Sequence, residues 1–181
     1  MLRACLLALL LSSPLEVMAQ TAQAPVDEAA PATNDLSADQ FVTLVAVSSL
    51  YEIAAGELAR ERVEDPALHG FAEASVRDHR QLLGALHAAV KAEEMVIEVP
   101  DRLDAGAARK LEALRSLPAE EFISRYVAEQ VESRRTAAVL FSNYAEAGDL
   151  EELRRFAADL EPVLSREFEA IQQIADERPG N

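Results

Sequence analysis

A chain of 181 residues with a net charge of −15 lacks the positive surface that nucleic acid or anionic lipid would require, so both are excluded as partners. Half of the residues are hydrophobic, glycines number six and tryptophan is absent, a composition that favours helix over sheet. The single cysteine, Cys5, lies in the first few residues, which excludes disulfides, thiolate catalysis and Cys-based metal sites from the rest of the chain.

The N-terminus reads as a secretory signal. Arg3 supplies the positive start, Ala4 to Leu11 is a short run of Leu and Ala, and Val17-Met18-Ala19 offers small residues for cleavage before Gln20. Residues 1–19 are therefore expected to be removed near Ala19-Gln20, delivering the protein to the Gram-negative periplasm. The apolar run is too short to span a bilayer, and no later segment is expected to insert in a membrane. Residues 20–36, rich in Ala, Pro, Thr and Gln, read as a disordered linker. One domain, 37–178, is expected to follow.

Its helices can be placed from caps and breakers. Ser37-x-x-Gln40 is a capping box that opens a helix lasting to about Glu64. Asp65-Pro66 ends that helix and starts the next, with Asp65 as cap and Pro66 in the first turn. This second helix runs to about Glu94. A connection to Leu117 follows, holding a short helix near Ala105 to Arg115. A third long helix is expected from about Pro118 to Ala147, ended by Gly148, and a fourth from an Asp149-x-x-Glu152 cap to about Glu177. Short turns make each successive pair of long helices an antiparallel hairpin. The middle connection, about two dozen residues, can run the full ~40 Å of a long helix. The expected fold is thus all-α: a ferritin-like four-helix bundle, two hairpins joined by a long crossover that contains the short helix.

Each long helix carries an apolar stripe at spacings of three and four, and each stripe is interrupted by one polar residue. On the first it passes through Phe41, Val45, Ser48, Ala55 and Ala59, with Leu44 and Leu58 beside it, and the interruption is Glu52. On the second, Leu68, Ala72, Ser75, Leu82, Leu86 and Ala89 surround His79. On the fourth, Leu150, Leu153, Ala157, Leu160, Leu164, Ile171 and Ile174 surround Glu167. On the third the odd residue is Arg134, ringed by Val127, Gln130, Val131, Ala137, Ala138 and Phe141. Counted from the turns, all four fall about 20–27 Å along their helices, near mid-bundle. Glu57, followed one turn on by Arg60 and Glu61, is expected to face water.

Charges buried together must satisfy one another or something bound. Glu52, His79 and Glu167 could ligate iron, manganese or zinc. Alternatively Arg134 is the cation, clamped by Glu52 and Glu167 with His79 completing the hydrogen bonds. The clamp is preferred, because a fixed guanidinium repels a second cation. In addition, a di-iron centre needs Glu-x-x-His on two helices, and Val76 stands three residues before His79. His69 reads as solvent-facing and His87 as a boundary residue, and Tyr51, Tyr126 and Tyr144 as core-edge residues. No phosphate loop, nucleophile elbow or Cys/His metal spacing is present.

In Phe41 to Arg60 (FVTLVAVSSLYEIAAGELAR), Phe71 to Leu82 (FAEASVRDHRQL), Phe122 to Phe141 (FISRYVAEQVESRRTAAVLF) and Leu153 to Phe168 (LRRFAADLEPVLSREF), the chain resembles the DUF4142 family. These are exported bacterial proteins of unknown function with a ferritin-like domain, often labelled outer membrane proteins. Barrel strands of the kind that label suggests are not apparent in the sequence. The resemblance implies a helix-one Glu at Glu52, an Asp-His pair at Asp78-His79, and further histidines at positions that here hold Arg134 and Glu167. A metal centre of that family would then be altered or lost in this chain. The expectation is a periplasmic bundle with a non-enzymatic structural, interaction or stress-related role and a degenerate buried charged centre; a protein partner or a second copy of the chain is the partner class. The rival is a metal-binding or oxidoreductase bundle using Glu52, His79 and Glu167.

Overall fold

A computed structural model describes residues 36–94 and 96–178. The expected signal, 1–19, and nearly all of the expected linker, 20–36, lie outside the described residues. Among those residues there are five helices and no strand: α1 (Ala38–Arg62), α2 (Pro66–Ala92), α3 (Ala105–Arg115), α4 (Ala119–Ala147) and α5 (Glu151–Asp176). α1 packs on α2 and α4 on α5, α2 also meets α5, and the short α3 lies against α1 and α4.

The helix starts follow local chemistry. Ser37 and Gln40 form the reciprocal capping box at α1, and the Asp65 side chain accepts from Leu68 N at 2.8 Å, with Pro66 opening α2. α5 departs from expectation, since its N-cap residue is Leu150, with no side-chain cap of its own. Glu93, at the end of α2, reaches across and accepts from the backbone N–H of Glu152 and Leu153. Asp149 serves a different helix: its carboxylate takes the Ala38 N–H at 3.3 Å and the Tyr144 hydroxyl at 2.8 Å. Carboxylates near helix N-termini are thus supplied across the bundle end, where the orphan N–H groups and the helix dipole favour negative charge.

Gly148 does end α4, but not through a left-handed conformation, for its φ is −58°. A Cβ there would come within 2.5 Å of the Tyr144 ring, so close approach is what demands glycine. At the other end, Arg62 donates to the carbonyls of Arg115 and Leu117, at 3.0 and 2.6 Å, and lies over the Phe122 ring at 4.1 Å. It thereby ties the C-terminus of α3 to the hairpins.

The buried face of α1 is turned from the expected one. Val42, Ala46, Ser49 and Gly56 are buried with Phe41, Val45, Ala55 and Ala59, while Ser48 and Leu44 are exposed. The cause is close packing on α2: a Cβ on Gly56 would come within 2.7 Å of Val76 Cγ2. By length and mean hydropathy of 1.4 α1 is apolar enough to cross a membrane, which corrects the expectation that no segment beyond the signal is. Half of that apolar window is buried within the fold.

The apolar core forms two clusters. One holds Phe41, Leu82, Leu86, Phe141, Tyr144 and Phe156, with Phe41 and Tyr144 stacked at 3.9 Å; the other holds Tyr51, Leu68, Phe122, Tyr126 and Ile171. The charged residues of the stripes belong to neither cluster.

Candidate functional site

Arg134 is the largest fully buried side chain among the described residues, 1% exposed. α4 delivers it, and α1 delivers Glu52, also 1% exposed. Arg134 Nη1 donates to Glu52 Oε2 at 2.9 Å, and Nη2 donates to the Ser75 hydroxyl of α2 at 2.7 Å. Gln130, one turn before Arg134, donates its amide to the same Glu52 oxygen at 2.6 Å. Phe71 presents its ring 5.2 Å from the guanidinium carbon. The result is a charge-assisted network shared by α1, α2 and α4, of the kind that makes a buried ion pair tolerable.

Glu167 on α5 is held differently. Its carboxylate approaches Arg134 Nε only to 3.6 Å, its side chain is 17% exposed, and Nε has no hydrogen-bond partner. Titration behaviour separates the two acids. Burial opposes the charge on Glu52, but the Arg134 guanidinium and the Gln130 hydrogen bond outweigh it, and its pKa lies below the usual carboxylate range. For Glu167 burial wins over Arg134, helped by the negative charges of Asp78 and Glu52, and its pKa is raised. Burial, then the charge of Arg134, pushes His79 down to about 4, so its imidazole is neutral near pH 7.

The structure therefore brings three of the four anticipated residues into contact: Arg134, Glu52 and Glu167. His79 is buried as expected, but neither of its ring nitrogens makes a hydrogen bond, so it does not complete the clamp. Ser75 and Gln130 do so instead. Both sit one helical turn before the residues singled out, His79 and Arg134; a polar side chain four residues before a buried ionisable residue was the available signal. Glu57 is exposed, as its neighbours indicated, and it pairs with Arg80 of α2. His87 is exposed and His69 half-buried. Tyr51, Tyr126 and Tyr144 are more deeply placed than core-edge residues, each 5% exposed or less. The Tyr51 hydroxyl donates to Glu129, and Lys110 of α3 sits over its ring at 4.3 Å while pairing with Glu129 at 3.5 Å.

Among the described residues no group of three or more His, Cys, Asp or Glu side chains is placed to hold a metal ion. Glu52 Oε2 accepts from Arg134 and Gln130, and the guanidinium beside it opposes a second cation.

The sequence profile of the family described as "Domain of unknown function (DUF4142)" matches residues 21–174. The chain belongs to this family. A solved structure titled "CopM in the Cu(I)-bound form" is similar to this DUF4142 protein with a TM-score of 0.64 and 16% identity, over 80% of this chain and 99% of that one. At that identity the likeness is one of fold. No curated protein matches the chain.

Proposed function

We propose that this DUF4142 protein is a periplasmic ferritin-like four-helix bundle that serves a non-enzymatic structural or interaction role, its centre neutralised by its own arginine in place of a metal. On this reading residues 1–19 are the cleaved leader, 20–36 a tether, and 37–178 the bundle. The order of two close-packed hairpins with an intervening crossover helix supports the architecture. The observation that carries the functional reading is the fully buried Arg134–Glu52 pair at 2.9 Å.

The neighbouring fold's title names Cu(I), an ion that soft thiolate and thioether donors favour. Helices α1 to α5 contain neither Cys nor Met, so no helix supplies a soft ligand for that chemistry. One observation favours the rival, a metal-binding or oxidoreductase role through Glu52, His79 and Glu167: the two unpartnered nitrogens of a neutral His79, the form in which imidazole ligates.

Elemental analysis of protein purified from periplasm without chelator separates the readings. Substoichiometric iron, manganese, zinc and copper is expected. A stoichiometric metal that disappears in both Glu52→Ala and His79→Ala would overturn the arginine-centred account.

A further inference from the structure

Between α2 and α5 a cavity of about 240 Å³ opens from the surface down to the buried arginine. Phe71, Ala74, Val163 and Ala170 give it apolar walls; Ser75, Asp78, Arg134, Arg166 and Glu167 are its polar groups. A larger hollow of about 460 Å³ lies between Arg60 and Gln81, but none of its lining side chains presents a buried unpartnered polar atom. The α2/α5 cavity does. Arg134, 1% exposed, lines it, and its Nε–H is a buried donor without an acceptor in hydrogen-bond range. At about 240 Å³ the cavity is below the usual range of drug-sized sites, so it suits only a small ligand, and the buried donor without an acceptor among its polar groups is the Arg134 Nε–H.

The sign of the ligand follows from that donor. A guanidinium N–H with no partner calls for an acceptor, and a carboxylate is the acceptor whose geometry a guanidinium matches best. Glu167 is the group nearest to filling the role, at 3.6 Å, yet it forms no hydrogen bond there and its side chain is partly exposed. Arg166 lines the mouth of the same cavity. Arg77 is held to Asp78 at 2.8 Å, and the charge of Glu167 acts on it. A Glu167 displaced outward thus meets cationic neighbours and water.

We propose that this cavity binds a small monocarboxylate with a short apolar tail, its carboxylate seated on Arg134 Nε–H in place of the loosely held Glu167 and its tail against Phe71, Val163 and Ala170. Glu167 then acts as a built-in competitor for the site. The inference goes beyond the structural role above, and it is read in chelator-treated protein so that its outcome is independent of metal content.

The probe is butyrate, titrated into the ¹⁵N-labelled protein and followed by amide shifts. Saturable shifts grouped at Phe71, Ala74, Val163 and Ala170 are expected. Glu167→Gln, which removes the competing charge, should bind about tenfold more tightly. Ala74→Phe, which fills the cavity, should abolish the shifts; Ala170→Phe does the same if the first variant fails to fold. n-Butylamine, with the same tail and the opposite charge, should give none. No saturable shift in either the wild type or Glu167→Gln overturns the proposal. So do weaker binding by Glu167→Gln, butyrate binding undiminished in a folded cavity-filled variant, or shifts centred on the surface arginines Arg77 and Arg80.

Discussion

Glu52 and Glu167 are the same residue type, interrupt apolar stripes in the same way, and approach different nitrogens of the same guanidinium. Glu52 is 1% exposed and shares one oxygen between Arg134 and Gln130. Glu167 is 17% exposed, sits 3.6 Å away and has a pKa raised where that of Glu52 is lowered. The difference teaches that burial alone does not set the behaviour of an acid. What decides is whether the cation is within hydrogen-bond distance and whether further donors complete the shell. Towards Glu52, Arg134 is a structural counter-charge. Towards Glu167 it keeps an unused donor.

The sharpest way to break the comparison is to remove the shared cation. Arg134→Ala strands a fully buried carboxylate, and a loss of about 3–5 kcal/mol in denaturant unfolding is expected. Combining Arg134→Met with Glu52→Gln removes both charges and should recover much of that loss. A wild-type midpoint in Arg134→Ala would show that Glu52 does not depend on the pair.

A second test uses His79, which forms no hydrogen bond with either acid. The His79 pKa of about 4 lies below its ordinary 6.5, so the native state resists binding the proton that the unfolded chain accepts. Its contribution is present above about pH 6.5 and lost as pH falls towards 4, roughly 3 kcal/mol in all. His79→Leu should flatten that part of the stability–pH curve. An unchanged slope would place the acid sensitivity elsewhere.

The smallest effect belongs to the looser partner. Glu167→Ala removes a partly exposed ion pair without a hydrogen bond, and a change within about 1 kcal/mol is expected. A loss as large as that of Arg134→Ala would make the two carboxylates equivalent and erase the distinction.

How much of this was legible in the sequence depends on the kind of interaction. Helix limits set by local rules could be read directly: the Ser37 capping box, the Asp65-Pro66 start and the Ala105–Arg115 helix all stand as expected. Periodicity also placed Arg134 and Glu52 in the interior. Interactions that cross the bundle were not legible. Asp149 reads as the cap of its own helix, yet it serves Ala38, while Glu93 from a distant helix end takes over at α5. No short-range pattern encodes that exchange. The stripe on α1 was misjudged because helices meet it on several sides, and small residues such as Ala46 and Gly56 mark the close approach better than large ones do. Glu167 looked as buried as Glu52 because a periodic stripe does not reveal where a helix face meets solvent. Of the stripe residues expected around it, Leu160 and Ile174 are only half-buried.

The most direct measurement is a carboxyl-¹³C NMR titration that follows Glu52 and Glu167 separately in the folded protein. Ionisation of Glu52 should persist below the ordinary carboxylate range, whereas Glu167 should take up its proton above that range. Glu52 titrating at or above the ordinary value would mean that Arg134 does not neutralise it, and the arginine-centred account would fail.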